Sequence, residues 1–311
     1  MRDRLEAARS PRPLTCLLAV ALSLGFAVAQ DIEPRRWSHL PTHTDFLGLG
    51  YVYTAGDLRL DPASRIQDAS VDMQTVLLSY NHYFDLFGQT ARIDALLPWQ
   101  QGRWQGLLDG TPASTSRDGL ADPRLRLSVT FVGAPALQGQ EFREYLSQHE
   151  SRTLVGAAVA VRLPWGEYHE DRLINLGQNR YSIEPQLGVV HHSGPWSYEF
   201  TGSVFFYTDN KEFYVGRELE QDPLYFVQSH VVRSFDSGLW VSAGIAYGWA
   251  GESAINGAQL GDYRKNLQYG VSFGMPIDRS QAIRLAYIRG DTFTDAGMDS
   301  HSLLLSWSLR F

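Results

Sequence analysis

The sequence has a single cysteine, Cys16, in 311 residues, and it falls in a leader-like amino terminus, so the rest of the chain has neither disulfide nor thiol chemistry. Lysine is nearly missing: Lys211 and Lys265 are the only two, and arginine carries almost all the positive charge. No run of 18 apolar residues occurs beyond residue 29, which excludes a helical membrane span. Positive charge is in deficit as well, at a formal net charge of −7, so nothing favours nucleic acid as a partner. Low-complexity repeats are absent, which argues against an adhesive barrel. No His-Glu-x-x-His helix is present and no nucleophile elbow is evident, so no catalytic residue, metal site or cofactor is assigned.

What is present begins with an export signal. Arg2, Arg4, Arg9 and Arg12 precede an apolar run from Leu14 to Val28, and Ala27-Val28-Ala29 supplies the small residues that a signal peptidase requires. Cleavage is expected after Ala29. The run is too short for a membrane anchor, and Cys16 precedes it rather than follows it, which disfavours a lipoprotein. Four arginines and two acids leave with the leader, so 23 basic side chains face 32 acidic ones.

The remaining chain carries a period of two. Leu125, Leu127, Val129 and Phe131 alternate with Arg124, Arg126, Ser128 and Thr130. Twelve such segments are read at 45–56, 71–84, 89–97, 122–133, 152–163, 181–192, 196–207, 223–234, 239–249, 264–275, 281–290 and 299–311. A soluble sandwich also alternates, but it would cover its outer face with long charged side chains. These strands pair a large apolar face with one that is small or polar, as lipid on the outside requires.

Turns and loops alternate too. Tight turns are expected at 85–88, 193–195, 235–238 and 277–280, and long loops at 57–70, 98–121 and 164–180, as in outer-membrane barrels. The connection 134–151 breaks this pattern, with a short helix expected from Glu141 to His149. Trp99, Trp104, Tyr181, Trp196, Tyr207, Tyr225, Trp240, Trp249 and Tyr287 lie near strand ends and read as interfacial girdles. The expected architecture is therefore an all-β transmembrane antiparallel barrel of about 12 strands over residues 45–311. A signal peptide at 1–29 and a periplasmic segment at 30–44 precede it. Leu303, Leu305, Trp307, Leu309 and Phe311 form an unbroken apolar face at the end of the chain, an expected signal to outer-membrane assembly machinery.

A family resemblance rests on named stretches. Leu47-Gly48-Leu49-Gly50-Tyr51, the run from Gly102 to Gly110, Gly119-Leu120-Ala121-Asp122-Pro123-Arg124, and Leu163-Pro164-Trp165-Gly166-Glu167-Tyr168 followed by Asn175-Leu176-Gly177 resemble the outer-membrane transporter family named for the MetA pathway of phenol degradation. That resemblance implies uptake of aromatic or other small hydrophobic compounds.

A twelve-strand lumen is wider than one that side chains fill and narrower than a general porin. Its walls are expected to carry Arg92, Asp94, Arg124, Arg126, Arg162, Glu184, Gln186, Glu199, Arg284 and Arg310. These residues either line a conduit, where charges of both signs favour small polar or ionic solutes, or pair with one another, and the two readings are compatible. Trp99, Trp104 and Trp165 either meet an incoming ligand from inward-folded loops or anchor the interface. The expected partners are the lipid bilayer of a Gram-negative outer membrane, assembly machinery and a small-molecule solute. A barrel hydrolase is the alternative, weakened by the lack of a serine, histidine and acid in evident proximity.

Overall fold

The structure is a computed structural model and describes residues 32–59 and 66–311. The signal peptide and its cleavage site lie outside the described residues. In chain order the strands are β1 (Thr44–Arg59), β2 (Ile66–Leu86), β3 (Gln89–Leu108), β4 (Thr111–Leu120), β5 (Arg124–Pro135), β6 (Ser151–Arg162), β7 (Ser182–Ser193), β8 (Trp196–Tyr207), β9 (Asn210–Phe213), β10 (Arg217–Gln221), β11 (Leu224–Ser234), β12 (Trp240–Ala250), β13 (Ser253–Ile255), β14 (Ala258–Gln259), β15 (Arg264–Pro276), β16 (Gln281–Thr292) and β17 (Gly297–Arg310); one helix, α1, spans Gly139–Gln148.

Twelve of these strands form a closed antiparallel barrel. β17 pairs with β1 and β2 with β3, so the wall has no free edge. Closure is what lipid demands, because an open edge would leave peptide groups without partners in hydrocarbon. The period of two sets the faces: Leu125, Leu127 and Phe131 are exposed on the outside, while Arg126 between them is 2% exposed on the inside. Every one of the twelve expected segments is a barrel strand. The last strand ends flush with the first, Phe311 and Asp45 exchanging both main-chain hydrogen bonds at 3.1 and 3.2 Å.

At one end the connections are tight. Between β2 and β3, Phe87 and Gly88 both have positive φ (54° and 78°), the backbone that a two-residue hairpin needs, and the Asp85 carboxylate accepts the Gly88 N–H at 2.7 Å. By the rule for such barrels this is the periplasmic end. The long connection 136–150 at this end contains α1, two residues earlier than expected at its start.

The opposite end departs from the reading in two ways. Residues 98–121 are not a loop: β3 continues to Leu108 and β4 returns alongside it, raising the wall as a hairpin. A small sheet in the order β14-β13-β10-β9 stands over the mouth, assembled from the connections that follow β8 and β12.

Candidate functional site

The lumen is occupied by the chain itself. Residues 32–43, expected as a segment preceding the barrel, run inside it from the turn end toward the mouth. At the bottom Thr42 N–H donates to Leu137 O at 3.1 Å. His39 Nε2 donates to Pro135 O at 2.9 Å, and its ring meets Phe142 and Tyr145 of α1 edge-on at 4.8 and 5.7 Å. Burial brings the His39 pKa down to about 4, so the ring is neutral at physiological pH. At the top Ile32 packs with Phe205, Leu224, Phe226, Ala246 and Ala250 near the mouth ends of β8, β11 and β12.

Between these ends the segment meets the charged wall. Arg35 N–H donates to Glu199 Oε2 at 2.7 Å, Glu33 N–H donates to Gln228 Oε1 at 3.2 Å, and the Arg35 guanidinium lies 5.3 Å from the Trp240 ring. Trp37 is 3% exposed, its Nε1–H donates to Thr201 Oγ1 at 2.8 Å, and Arg126 sits 4.9 Å over its ring. Arg126 is itself held by Asp94 at 3.0 Å and by Gln186 Oε1 at 2.9 Å, and Asp94 also pairs with Arg92 at 2.8 Å. Asp94 and Arg126 are register partners on β3 and β5, so strand pairing alone sets them face to face. A buried arginine is stable only with such partners.

Five expected lumen residues, Arg92, Asp94, Arg126, Gln186 and Glu199, thus converge around the segment. Glu184 is buried higher on the same face of β7. Arg124 and Arg162 are register partners on the inner face at the mouth end. Arg284 faces inward from β16 by strand parity, its neighbour Leu285 being exposed on the outside. Arg310 departs from expectation: it stands exposed at the turn-end rim, and its Nη2 donates to Arg279 O at 2.9 Å.

A second stretch of chain lies at the mouth. Residues 163–181 cross it, with Leu173 packed on Phe213, Leu219 and Ile255 of the small sheet, and Ile174 and Leu176 packed on Leu58, Val71, Met73 and Trp104 of the opposite wall. Trp104 therefore faces inward, as Tyr207 and Trp240 do by the same strand parity, and these three are not girdle residues. Trp99 and Trp165 are exposed.

Residues 55–294 match the family described as "Putative MetA-pathway of phenol degradation". The chain belongs to this family. A crystallised outer membrane channel from Pseudomonas putida F1 superposes with a TM-score of 0.75 at 21% identity, over 90% of this chain and 100% of that one. The transport unit of the autotransporter AIDA-I from Escherichia coli gives 0.55 at 8% identity, over 98% and 100%. None of the curated proteins compared matches the sequence. Both structures share the outer-membrane barrel fold.

The stretches that carry the family resemblance now have a physical role. Asp122, 2% exposed, accepts the Gly166 N–H at 2.9 Å and the Gln178 N–H at 2.8 Å, pinning both ends of the mouth-crossing loop. Gly166 and Gly177 meet at this point; a β-carbon on either would lie 2.8 Å from the other's backbone, so neither tolerates a side chain. Burial raises the Asp122 pKa, against the opposing pull of the two N–H donors and of Arg162 and Arg180. Replacing Asp122 by Ala leaves two buried donors unpaired, at about 1–3 kcal/mol each. The expected result is a barrel that still forms while residues 163–181 become cleavable by added protease; continued resistance would show that the apolar contacts hold the loop without the carboxylate.

Two features bear on a hydrolase. Gly270-Val271-Ser272-Phe273-Gly274 does have Gly-x-Ser-x-Gly spacing, but it lies within β15, not at a strand-to-helix turn. Ser197 and His192 Nδ1 lie 2.8 Å apart at the turn end, yet among the described residues His192 Nε2 has no partner to orient the ring.

Proposed function

We propose that the protein admits small apolar or aromatic solutes across the outer membrane through its lumen, with residues 32–43 as the closing element. The observation that carries this reading is the filling of the lumen by residues 32–43, which take no part in the strand pairing of the wall. A barrel built only as a scaffold would pack its interior wall to wall. In this one a segment outside the wall's strand pairing occupies the centre, and its departure would leave a passage lined by Arg92, Asp94, Arg126, Gln186 and Glu199. Apolar side chains at the mouth, Leu58, Val71, Met73, Ile174 and Leu176, offer a solute its first contact.

No second reading is favoured by a specific observation. The His192–Ser197 pair lacks its orienting acid, and the barrel resembles a channel in fold, so hydrolysis is not part of the proposal. Uptake tests it. A strain lacking the protein should lose uptake of some members of a panel of aromatic compounds, fatty acids and small anions, and regain it on complementation. Unchanged uptake across the whole panel would count against transport.

Assembly belongs to the same proposal. Phe311 closes the seam with Asp45 and presents the last exposed ring of the outer apolar face. Deleting Phe311 should slow barrel assembly in cells, seen as accumulation of the heat-insensitive unfolded form on gels. Assembly at the normal rate would place the recognition signal elsewhere.

A further inference from the structure

The Trp37 indole lies on a surface shaped for a flat ring. Gly156 of β6 and Gly188 of β7 are register partners, flanked on either side in the same row by Thr130 of β5 and Thr201 of β8. A β-carbon at Gly156 would lie 2.8 Å from Cε3 and Cζ3 of the indole, and one at Gly188 would fall on the ring itself. Two adjacent strands are thus stripped to bare backbone under the ring, while Leu154, Ala158, Val190 and Ala134 close its sides. Arg126 covers the other face, where a guanidinium and an aromatic ring attract. Among the described residues, Arg126 Nη2 and Gln186 Nε2, on side chains 2% exposed, have no hydrogen-bond partner. Two buried donors are therefore left over beside the seat, and a buried unpaired donor is costly.

We propose that this seat is a binding site for planar aromatic solutes with one polar group at the ring edge, and that such a solute opens the channel by displacing Trp37. The inference rests on the channel reading above and adds to it the solute class and the residue it competes with. Thr201 Oγ1 accepts the solute's hydroxyl or N–H as it accepts the indole N–H, and the spare donors of Arg126 and Gln186 meet a ring-bound oxygen. Trp37 occupies the seat from a tether, at an effective concentration of roughly millimolar. A solute must match that, so opening should require roughly millimolar concentrations of a minimal ring.

The test uses the full-length protein in planar bilayers with p-cresol as probe and cyclohexanol, of similar size but without a flat ring, as control. The expected result is a several-fold rise in open time with p-cresol and none with cyclohexanol. Trp37→Ala should be open without solute and gain nothing from it, and calorimetry should show it binding p-cresol. Trp37→Ala combined with Gly188→Val, which fills the seat, should not bind it. Barrel formation in each variant is followed by heat-modifiable gel mobility. Failure of p-cresol to open the wild type, or a Trp37→Ala variant as closed as the parent, overturns the inference. A variant lacking residues 32–38 keeps the two readings apart: if it conducts while p-cresol and Trp37→Ala do nothing, only this inference falls, and if it too is silent, the channel reading falls.

Discussion

Deleting residues 32–38 should convert the protein from a closed barrel into one with steady, discrete conductance steps. The deletion removes Trp37 from its seat and both main-chain bonds to Glu199 and Gln228, while every strand pairing of the wall is left in place. Burying a tryptophan of this kind is worth about 3–5 kcal/mol, so the segment is strongly held in the intact protein and openings of the parent should be rare. The wall itself closes through β1–β17 and β2–β3 and does not depend on the segment. Heat-modifiable mobility should accordingly be retained. Planar bilayer recordings check both halves of this expectation, since a collapsed barrel would give neither the mobility shift nor regular steps.

Asp94→Asn should have the largest effect on stability. The carboxylate lies between Arg92 at 2.8 Å and Arg126 at 3.0 Å, and the arginine side chains are 14% and 2% exposed. Neutralising it strands two cations in a poorly hydrated interior, where removal of one partner of a buried pair costs about 3–5 kcal/mol. Urea unfolding in lipid vesicles should show the loss. Pairing the change with Arg126→Met should recover part of it, because the second substitution removes one of the stranded charges. A shift below about 0.5 kcal/mol, the range of ordinary surface changes, would mean that water enters the lumen freely and screens these charges.

The wall was legible because lipid imposes a signal that any window of ten residues contains. Leu267, Tyr269, Val271, Phe273 and Met275 alternate with Asn266, Gln268, Gly270, Ser272 and Gly274, and no solvent other than hydrocarbon accounts for that outer face. The same signal stops where lipid stops. Above Trp99, β3 continues through Gln101, Arg103 and Gln105, which face water on the outside of the raised hairpin, so the strand looked like a loop. Parity carried to the strand ends would have turned Trp104, Tyr207 and Trp240 inward; proximity to an end was too coarse a criterion for a girdle.

Residues 32–43 were illegible for a different reason. The hydrogen-bond partners that Glu33, Arg35, Trp37, His39 and Thr42 find on the wall and beside α1 lie 95 to 195 residues away in sequence, and the segment has no period of its own to read. One clue was available. Gly156 and Gly188 fall on the inner face of neighbouring strands, and opposed glycines in a wall of paired strands imply that something approaches the backbone closely. Pro34-Arg35-Arg36-Trp37, dense in charge and aromatic surface but lacking alternation, was a candidate to fill that space. The reading gave the expected lumen charges one another or a solute as partners; around Arg92, Asp94, Arg126, Gln186 and Glu199 the chain's own amino-terminal segment is the missing third, and Arg310 lies at the rim instead.

The central claim is that this segment closes the lumen. Glu33→Cys with Gln228→Cys puts two thiols where a main-chain N–H of one residue already reaches the side chain of the other, in a mature chain expected to hold no other cysteine. Recorded in one bilayer, the pair should show openings under reducing conditions that vanish on oxidation and return with reductant, the cross-link appearing in parallel as a gel shift. Conductance that is unchanged by a cross-link shown to have formed would contradict the account.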